Sequence, residues 1–338
     1  MLSIYLLEQK IQKHYFINLM LYLEFLEGQG LGNQLWNYVT LRSLSKELGL
    51  GYEIINSKRF KGKDFLDISY SKSAIKSNLK NHRKKYNIFN EKIFYDYELR
   101  TFACDFDNDI LKVQPNTLIK GLFQSEKYFF NNDINEFIKL KLSNMNKLPL
   151  SSNQCLLNIR GGEYKRHRNL ILPKSYWLSA IKNMKKINPD LEFSIITDDY
   201  DYSSKLFPEL KIIKGNISQD YFQIFSTEYV IVSNSSFSYF PISLGKKPKV
   251  IIAPSLWARF GNSKERWISP ANYYKNWKYQ NDKGEIISTK TSEKMIKKTK
   301  EIYLTYNVLT KKESLQRKTI LTLIPSNFKK LIKKIISK

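Results

Sequence analysis

The chain is poor in the residues that several common chemistries need. Its 338 residues include only two cysteines, Cys104 and Cys155. They form neither a disulfide framework nor a zinc spacing, which points to a reducing compartment. The three histidines, His14, His82 and His167, are scattered and lie beside no serine or cysteine nucleophile pattern. No hydrophobic run reaches the length of a membrane span. Acidic residues are scarce: 31 Asp and Glu against 56 Lys and Arg, a net charge of +25. Residues 289–338 hold 14 of the basic residues against three glutamates. Such charge attracts polyanions. No RNA-binding or helix-turn-helix signature accompanies it, so nucleic acid is not an expected partner. An anionic membrane surface and an anionic nucleotide substrate account for it equally well. Low-complexity disorder is excluded by 22 tyrosines and 20 phenylalanines. The length allows two domains, each with its own core. Residues 1–19 have apolar patches broken by Glu8, Lys10, Lys13 and His14. They are expected to be a leader that is neither signal peptide nor anchor.

The richest stretch is Glu-Gly-Gln-Gly-Leu-Gly-Asn-Gln-Leu-Trp-Asn-Tyr over residues 27–38. Met20 to Leu26 reads as a short buried strand leading into it. From Leu35 the apolar residues recur at helical spacing to Leu48, burying one side, and Gly49 and Gly51 end the helix. A strand, a glycine turn and a helix start leave backbone N–H groups facing outward, which suits anions or sugar hydroxyls. A tight turn without a ligand needs the same glycines. Gly28-x-Gly30-x-x-Asn33 lacks the third glycine of the dinucleotide fingerprint, and no Gly-Lys-Ser/Thr follows to make a phosphate loop. Gly30, Gly32, Asn33 and Gln34 are the candidate residues of this turn.

Residues 52–100 read as short strands and loops. Thr117 to Phe123 reads as a buried strand, followed by Gln124 and a helix capped by Ser125. Asn131 to Leu142 is expected to be a helix and 143–153 a linker between domains. Beyond it the pattern is that of a parallel α/β sheet. Strands are expected at Cys155–Arg160, Glu192–Thr197, Leu210–Ile213, Tyr229–Ser233 and Val250–Ala253. Helices are expected at Lys174–Ile187, Tyr202–Phe207, Tyr221–Ser226 and Phe237–Leu244. Nucleotides bind at the C-terminal ends of such strands.

The candidate residues cluster at those ends. Arg160, followed by Gly161-Gly162-Glu163, can lay a guanidinium on a phosphate or simply pair with Glu163. Asp198, after Ser194-Ile195-Ile196-Thr197, either caps the next helix or accepts from a ribose or base. Asp220 lies at a helix start, where an acid has a ready electrostatic role. Ser233-Asn234-Ser235-Ser236-Phe237-Ser238 leads into a helix and offers hydroxyls and N–H groups to an anion; simple capping would use one hydroxyl. Asp105-x-Asp107-x-Asp109 lacks the glycine and twelfth-position glutamate of a calcium loop and reads as a solvated loop.

Three strings in order resemble the α1,2-fucosyltransferase family, glycosyltransferase family 11. They are Gly30-Leu31-Gly32-Asn33-Gln34, the string Gly121-x-x-Gln124-Ser125-Glu126-x-Tyr128, and Ser233 to Ser238. The Asn158-Ile159-Arg160-Gly161-Gly162-Glu163 string stands where the family and its α1,6- and protein O-fucosyltransferase relatives have His-x-Arg-Arg-x-Asp; the first arginine is kept. The resemblance spans about residues 20–280. It implies a GT-B-like α/β fold, two Rossmann-like domains facing a cleft. An acceptor-side domain would occupy 20–150, a GDP-sugar-binding domain 151–288 and a basic helical tail 289–338. It implies inverting transfer of L-fucose from GDP-fucose to a galactoside hydroxyl, with no cofactor and no metal. Arg160 and Glu163 would be catalytic, and Arg160, Gly162, Asp198, Asp220, Asn234, Ser235, Ser236, Phe237 and Ser238 would bind the donor, Asp220 through the guanine. Gly30, Gly32, Asn33, Gln34 and Gln124 would line the cleft or meet the acceptor. The other readings are a transferase of the same fold using a different nucleotide sugar, and a basic RNA- or membrane-binding protein. After Pro325, Phe328, Leu331, Ile332, Ile335 and Ile336 recur at helical spacing opposite Lys329, Lys330, Lys333 and Lys334. That helix suits a bilayer interface, which would make the enzyme cytoplasmic and peripheral on the inner membrane face, where lipid-linked surface glycans are built.

Overall fold

The computed structural model describes residues 19–72, 86–96, 101–141, 153–166, 170–245, 249–255 and 270–305. The first unit contains β1 (Met20–Glu24), α1 (Leu31–Glu47), β2 (Gly51–Ile55), β3 (Leu66–Ile68), β4 (Ser71–Lys72), β5 (Asn87–Asn90), β6 (Ile93–Asp96), β7 (Thr101–Cys104), β8 (Thr117–Lys120) and β9 (Ile138–Leu140). Its main sheet runs β4-β2-β1-β8-β5. Strands β2, β1, β8 and β5 are parallel, and β4 joins β2 antiparallel. The pairs β3–β9 and β6–β7 form separate antiparallel ribbons.

The second unit contains β10 (Gln154–Ile159), α2 (Lys174–Ile187), β11 (Glu192–Thr197), α3 (Tyr200–Leu206), β12 (Lys211–Ile212), α4 (Ile217–Ser226), β13 (Tyr229–Val232), α5 (Tyr239–Leu244), β14 (Val250–Pro254), β15 (Lys278–Gln280) and β16 (Ile286–Ile287); α6 (Thr289–Thr305) follows. The sheet order is β12-β11-β10-β13-β14-β15-β16. From β12 to β15 all neighbours are parallel. The order of its first strands in sequence is therefore third, second, first, fourth, fifth, the doubly wound order, with the chain reversing direction between β10 and β13.

The sequence of β10 explains its central place. Cys155, Leu157 and Ile159 face a core built with Trp177, Ala180 and Met184 of α2. Leu156 faces the opposite core with Tyr221 and Ile224 of α4. A strand apolar on both faces belongs inside a sheet covered on both sides.

Three expectations are corrected. Residues 131–141 form no α-helix: a short 3-10 turn at Ile134–Glu136 leads into β9. Asp133 caps that turn by accepting from Asn135 N–H, and Ile138 is withdrawn into the pairing with Ile68. Second, α1 does not bury one side only. Leu35, Trp36, Tyr38, Val39, Leu41 and Leu44 are all fully buried, because both units close on this helix. Trp36 contacts Phe129 on one side and Tyr239, Phe240 and Tyr274 on the other. Third, the units share a core in addition to the second unit's own cluster behind α2. One apolar cluster runs from Leu21 and Leu35 through Phe65 to Tyr221 and Tyr239. The shared cluster is rich in aromatic rings, Trp36 meeting Tyr239, Phe240 and Tyr274 across the seam.

The Asp105–Asp109 segment is not a solvated loop either. Asp107 is buried and accepts from Lys92 N–H and Asp109 N–H. Asp105 pairs with Lys300 of α6 at 2.5 Å, and Asp109 pairs with Lys92 and Lys112. Among the described residues no group of three His, Cys, Asp or Glu is placed to hold a metal ion, and no helix is long and apolar enough to cross a membrane. The leader 1–18, the linker 142–152, His167 and the tail beyond 305 lie outside the described residues.

Candidate active site at the strand ends

Ligands of doubly wound sheets sit where the strand order reverses, beyond the carboxyl ends of the strands. Here that crevice lies between the end of β10, which carries Arg160, and the end of β13, which carries Ser233, Asn234 and Ser235. Tyr164 bridges it. Its hydroxyl donates to the Asn234 carbonyl at 3.1 Å, and the Arg160 guanidinium lies 5.4 Å from its ring centre. Tyr164 escaped sequence reading, since a tyrosine four residues past a strand end carries no signal of its own.

Arg160 Nη1 pairs with Asp198 Oδ2 at 2.9 Å, while Nη2 is 3.9 Å from exposed Glu163. Nε is buried and has no partner. The guanidinium is thus oriented from one side by Asp198, and its buried Nε is left without a partner, a donor that a phosphate oxygen would satisfy in a forked contact. Asp198 can serve this pairing because its neighbour Asp199 does the capping, accepting from Tyr202 N–H at 3.1 Å. Asp198 Oδ1 also accepts from Gly161 N–H at 2.9 Å. A Cβ on Gly162 would stand 2.3 Å from Asp198 Oδ2, so the glycine leaves room for the carboxylate that holds Arg160.

Asp220 sits in the first turn of α4. Asn216 and Gln219 form a capping box around that helix start, so Asp220 is not needed as a cap. Its Oδ1 is buried without a partner. Burial, reinforced by the nearby Asp198 charge, pushes its carboxyl up to about 7. A buried carboxyl with no capping duty and an unpartnered oxygen is suited to meet a ligand. On the opposite wall, Asn234 is 3% exposed, and neither its amide oxygen nor its amide nitrogen has a partner. Buried polar atoms left unpaired each cost about 1–3 kcal/mol. Arg160 Nε, Asp220 Oδ1 and both Asn234 amide atoms are such groups at this crevice, and a polar ligand there would satisfy them.

The structure brings Arg160, Gly162, Asp198, Asp220, Asn234 and Ser235 to this crevice, with Glu163 at its rim. It removes others. Ser238 is fully buried and donates to the Asn158 side chain at 2.7 Å. This bond staples the serine loop to β10, so Ser238 is a structural residue and not a donor contact. Phe237 packs on Tyr221 with ring centres 6.2 Å apart. The helix expected from Phe237 begins only at Tyr239 and is six residues long. Gln34 is also corrected. It is fully buried, donates to the Arg59 carbonyl at 2.9 Å and accepts from Lys61 N–H at 2.9 Å. It ties α1 to the 57–61 turn and meets no cleft.

Gly32, Asn33 and Gln124 lie along the seam between the units, while Gly30, the N-cap of α1, is exposed with open space around it. A Cβ on Gly32 would stand 2.4 Å from the Ser236 carbonyl carbon. Asn33 Oδ1 accepts from Ser236 at 2.7 Å and from Gln124 Nε2 at 2.8 Å. The start of α1 therefore abuts the serine loop directly. Farther along the same seam, a cleft of about 390 Å³ is floored by Phe129, Tyr239 and Trp277 and rimmed by Glu126 and Lys275.

No family model and no curated protein matches the chain. Solved structures do resemble it. The α-1,6-fucosyltransferase NodZ of Bradyrhizobium, soaked with GDP-fucose, is 14% identical, covers 74% of this chain and 99% of its own, and has a TM-score of 0.42. A variant of Arabidopsis thaliana FUT1 in complex with GDP is 10% identical over 77% of this chain and 79% of its own, with a TM-score of 0.45. The E. coli heptosyltransferase WaaC with ADP is 10% identical over 84% of this chain and 99% of its own, with a TM-score of 0.41.

Proposed function

We propose that this protein is a glycosyltransferase that takes L-fucose from GDP-fucose and passes it to a galactoside hydroxyl, in an α1,2 linkage and with inversion. The observation that carries the reading is that the Arg160 guanidinium, held by Asp198 and with its Nε unpartnered, and the unpartnered Asn234 amide stand at the ends of the two strands that flank the strand-order reversal. Together they suit a diphosphate, and Asp220 beyond Asp198 suits a base with N–H donors. A carboxylate accepting from guanine N1 and N2 would select GDP over UDP. In transfer, the sugar separates with oxocarbenium character while negative charge grows on the diphosphate. Arg160 would stabilise that charge with a contact that strengthens as the bond breaks. Inversion needs one displacement, with a base to take the acceptor proton. Glu163, exposed beside Arg160, is the acid nearest the rim. No step calls for a metal ion, so activity is expected to persist in EDTA.

The same reading extends to place. The basic, amphipathic tail would hold the enzyme on the inner face of the membrane, where a lipid-linked acceptor for surface glycan is presented. Deleting 325–338 should abolish sedimentation with anionic liposomes and spare transfer to a soluble acceptor; continued sedimentation would refute the tail's role. The function itself is tested by incubating purified protein with GDP-fucose and a panel of galactosides. A fucosylated product is expected. Release of nucleotide from UDP-sugars but not from GDP-fucose would move the enzyme to a different donor.

A further inference from the structure

Tyr164 reaches across the point where the strand order reverses. It stands on a 3-10 turn, Glu163–Arg166, that follows the end of β10. The segment 161–166 is pinned to the end of β11 twice. Gly161 N–H donates to Asp198 Oδ1 at 2.9 Å, and Lys165 Nζ pairs with Asp199 Oδ2. Lys165 N–H closes the turn by donating to the Gly161 carbonyl at 2.9 Å. From this base the Tyr164 hydroxyl donates to the Asn234 carbonyl at 3.1 Å, just beyond the end of β13. One side chain thus connects three strand ends: β11 through the pinned turn, β10 that leads into it, and β13 at its tip.

The guanidinium carbon of Arg160 lies over the same ring, 5.4 Å from its centre, within cation–π range. Asp198 holds Nη1 of that guanidinium. A free arginine samples many rotamers, and its planar fork serves an oxyanion only when the plane is set. Tyr164 therefore ties the plane of Arg160 to the backbone of Asn234, whose amide has no partner. We propose that Tyr164 is a positioning residue: its ring orients Arg160 and its hydroxyl fixes the Asn234 end of the serine loop, so both groups stand at one spacing before the diphosphate of the nucleotide sugar binds. The inference rests on the nucleotide-sugar reading above. It adds that the spacing of the two diphosphate contacts is set by a third side chain, which acts through them. Groups ordered beforehand bind without the cost of ordering them, and they stabilise developing charge without reorganisation.

Two variants separate the ring from the hydroxyl. Tyr164→Phe keeps the ring beside Arg160 and removes the bond to Asn234; Tyr164→Leu removes both. Each is measured for melting temperature and for GDP affinity by calorimetry, and Tyr164→Phe is also combined with Asn234→Ala. Tyr164→Phe is expected to melt within about 3 °C of wild type and to bind GDP about tenfold more weakly. Tyr164→Leu should lose about 50-fold in affinity, since Arg160 loses its ring contact as well. Because the hydroxyl works by placing Asn234, the double variant should lose about 20-fold at most, where independent contacts would multiply to about 100-fold. Wild-type GDP affinity in Tyr164→Phe overturns the proposal, and so does full multiplication of the two losses. A lowered melting temperature with GDP affinity intact also overturns it, since that is what a merely structural bond would give. Failure of the wild type to bind GDP would overturn the nucleotide-sugar reading, and the positioning role with it.

Discussion

Two loops in this molecule have the same plan, a strand followed by a turn rich in small residues and then a helix, yet they do opposite work. The loop from Glu24 to α1 ends in Gly30, which caps the helix without a side-chain bond. Its Gly32 is pressed against the Ser236 backbone, with no room for a Cβ. The loop from Val232 to α5 has side chains throughout, and its Asn234 amide and Ser233 hydroxyl are buried with nothing to bond. Glycine in the first loop permits contact between backbones. Polar side chains in the second are held in readiness at a cost. Glycine in the first turn therefore serves the seam in this fold, while the second turn carries buried polar side chains that a ligand could satisfy.

Gly32→Ala should break that contrast most severely. The new methyl meets backbone, which cannot rotate away, so the seam must open. A loss of about 3 kcal/mol is expected, read as a fall of several degrees in melting temperature. A variant as stable as wild type would mean that the units are not docked as described.

Asp220→Asn sharpens the contrast through pH. With its pKa raised to about 7 in the folded protein, Asp220 binds a proton that the unfolded chain, near its ordinary carboxylate value, has already released. Its contribution is therefore favourable at acid pH and is lost as pH rises toward 7. The asparagine variant should match wild type in strong acid and exceed it above neutrality by about 2 kcal/mol, after allowing for partial exposure. Wild-type affinity for GDP should rise between about pH 6 and pH 8 as the carboxylate forms, and the variant should lose that dependence. Thermal melts and calorimetry across the pH range check both. Greater stability together with weaker binding identifies a binding group; lower stability at alkaline pH would mark Asp220 as structural.

Asn234→Ala should have the smallest effect on folding. Its amide makes no bond, so its removal should leave the melting temperature unchanged or slightly raised. GDP affinity should fall about tenfold if the amide bonds the ligand. A strongly destabilised variant would mean that the amide is already satisfied in the free protein.

The second unit was the more legible of the two. The strands Glu192–Thr197 and the helix Lys174–Ile187 stand where periodicity puts them, because buried strands between amphipathic helices leave plain patterns. The first unit resisted. Glu91 shows why. It is 5% exposed and accepts from Leu122 N–H, Phe123 N–H and the Tyr128 hydroxyl, organising a turn through contacts more than 30 positions apart that no local pattern contains. Burial pushes its carboxyl up, yet it lies within the first unit, away from the strand-end crevice. At the crevice, residue types and order were readable: Arg160, Asp198 and Asp220 all arrive there. What sequence could not assign was the division of labour among neighbours. Asp199 rather than Asp198 caps α3, and Ser238 is spent on Asn158 while Asn234 is free. Those choices depend on side-chain direction at loop residues, which periodicity does not constrain.

The central claim is that Arg160, held by Asp198 and with its Nε unpartnered, receives a nucleotide diphosphate. Titrating GDP into the wild-type protein and into Arg160→Ala by calorimetry tests it most directly. Wild type should bind GDP, and prefer it to UDP. The variant should keep its melting temperature and lose on the order of 100-fold in affinity, the worth of a charge-assisted forked contact of about 3 kcal/mol. Equal GDP affinity in the two proteins would contradict the account.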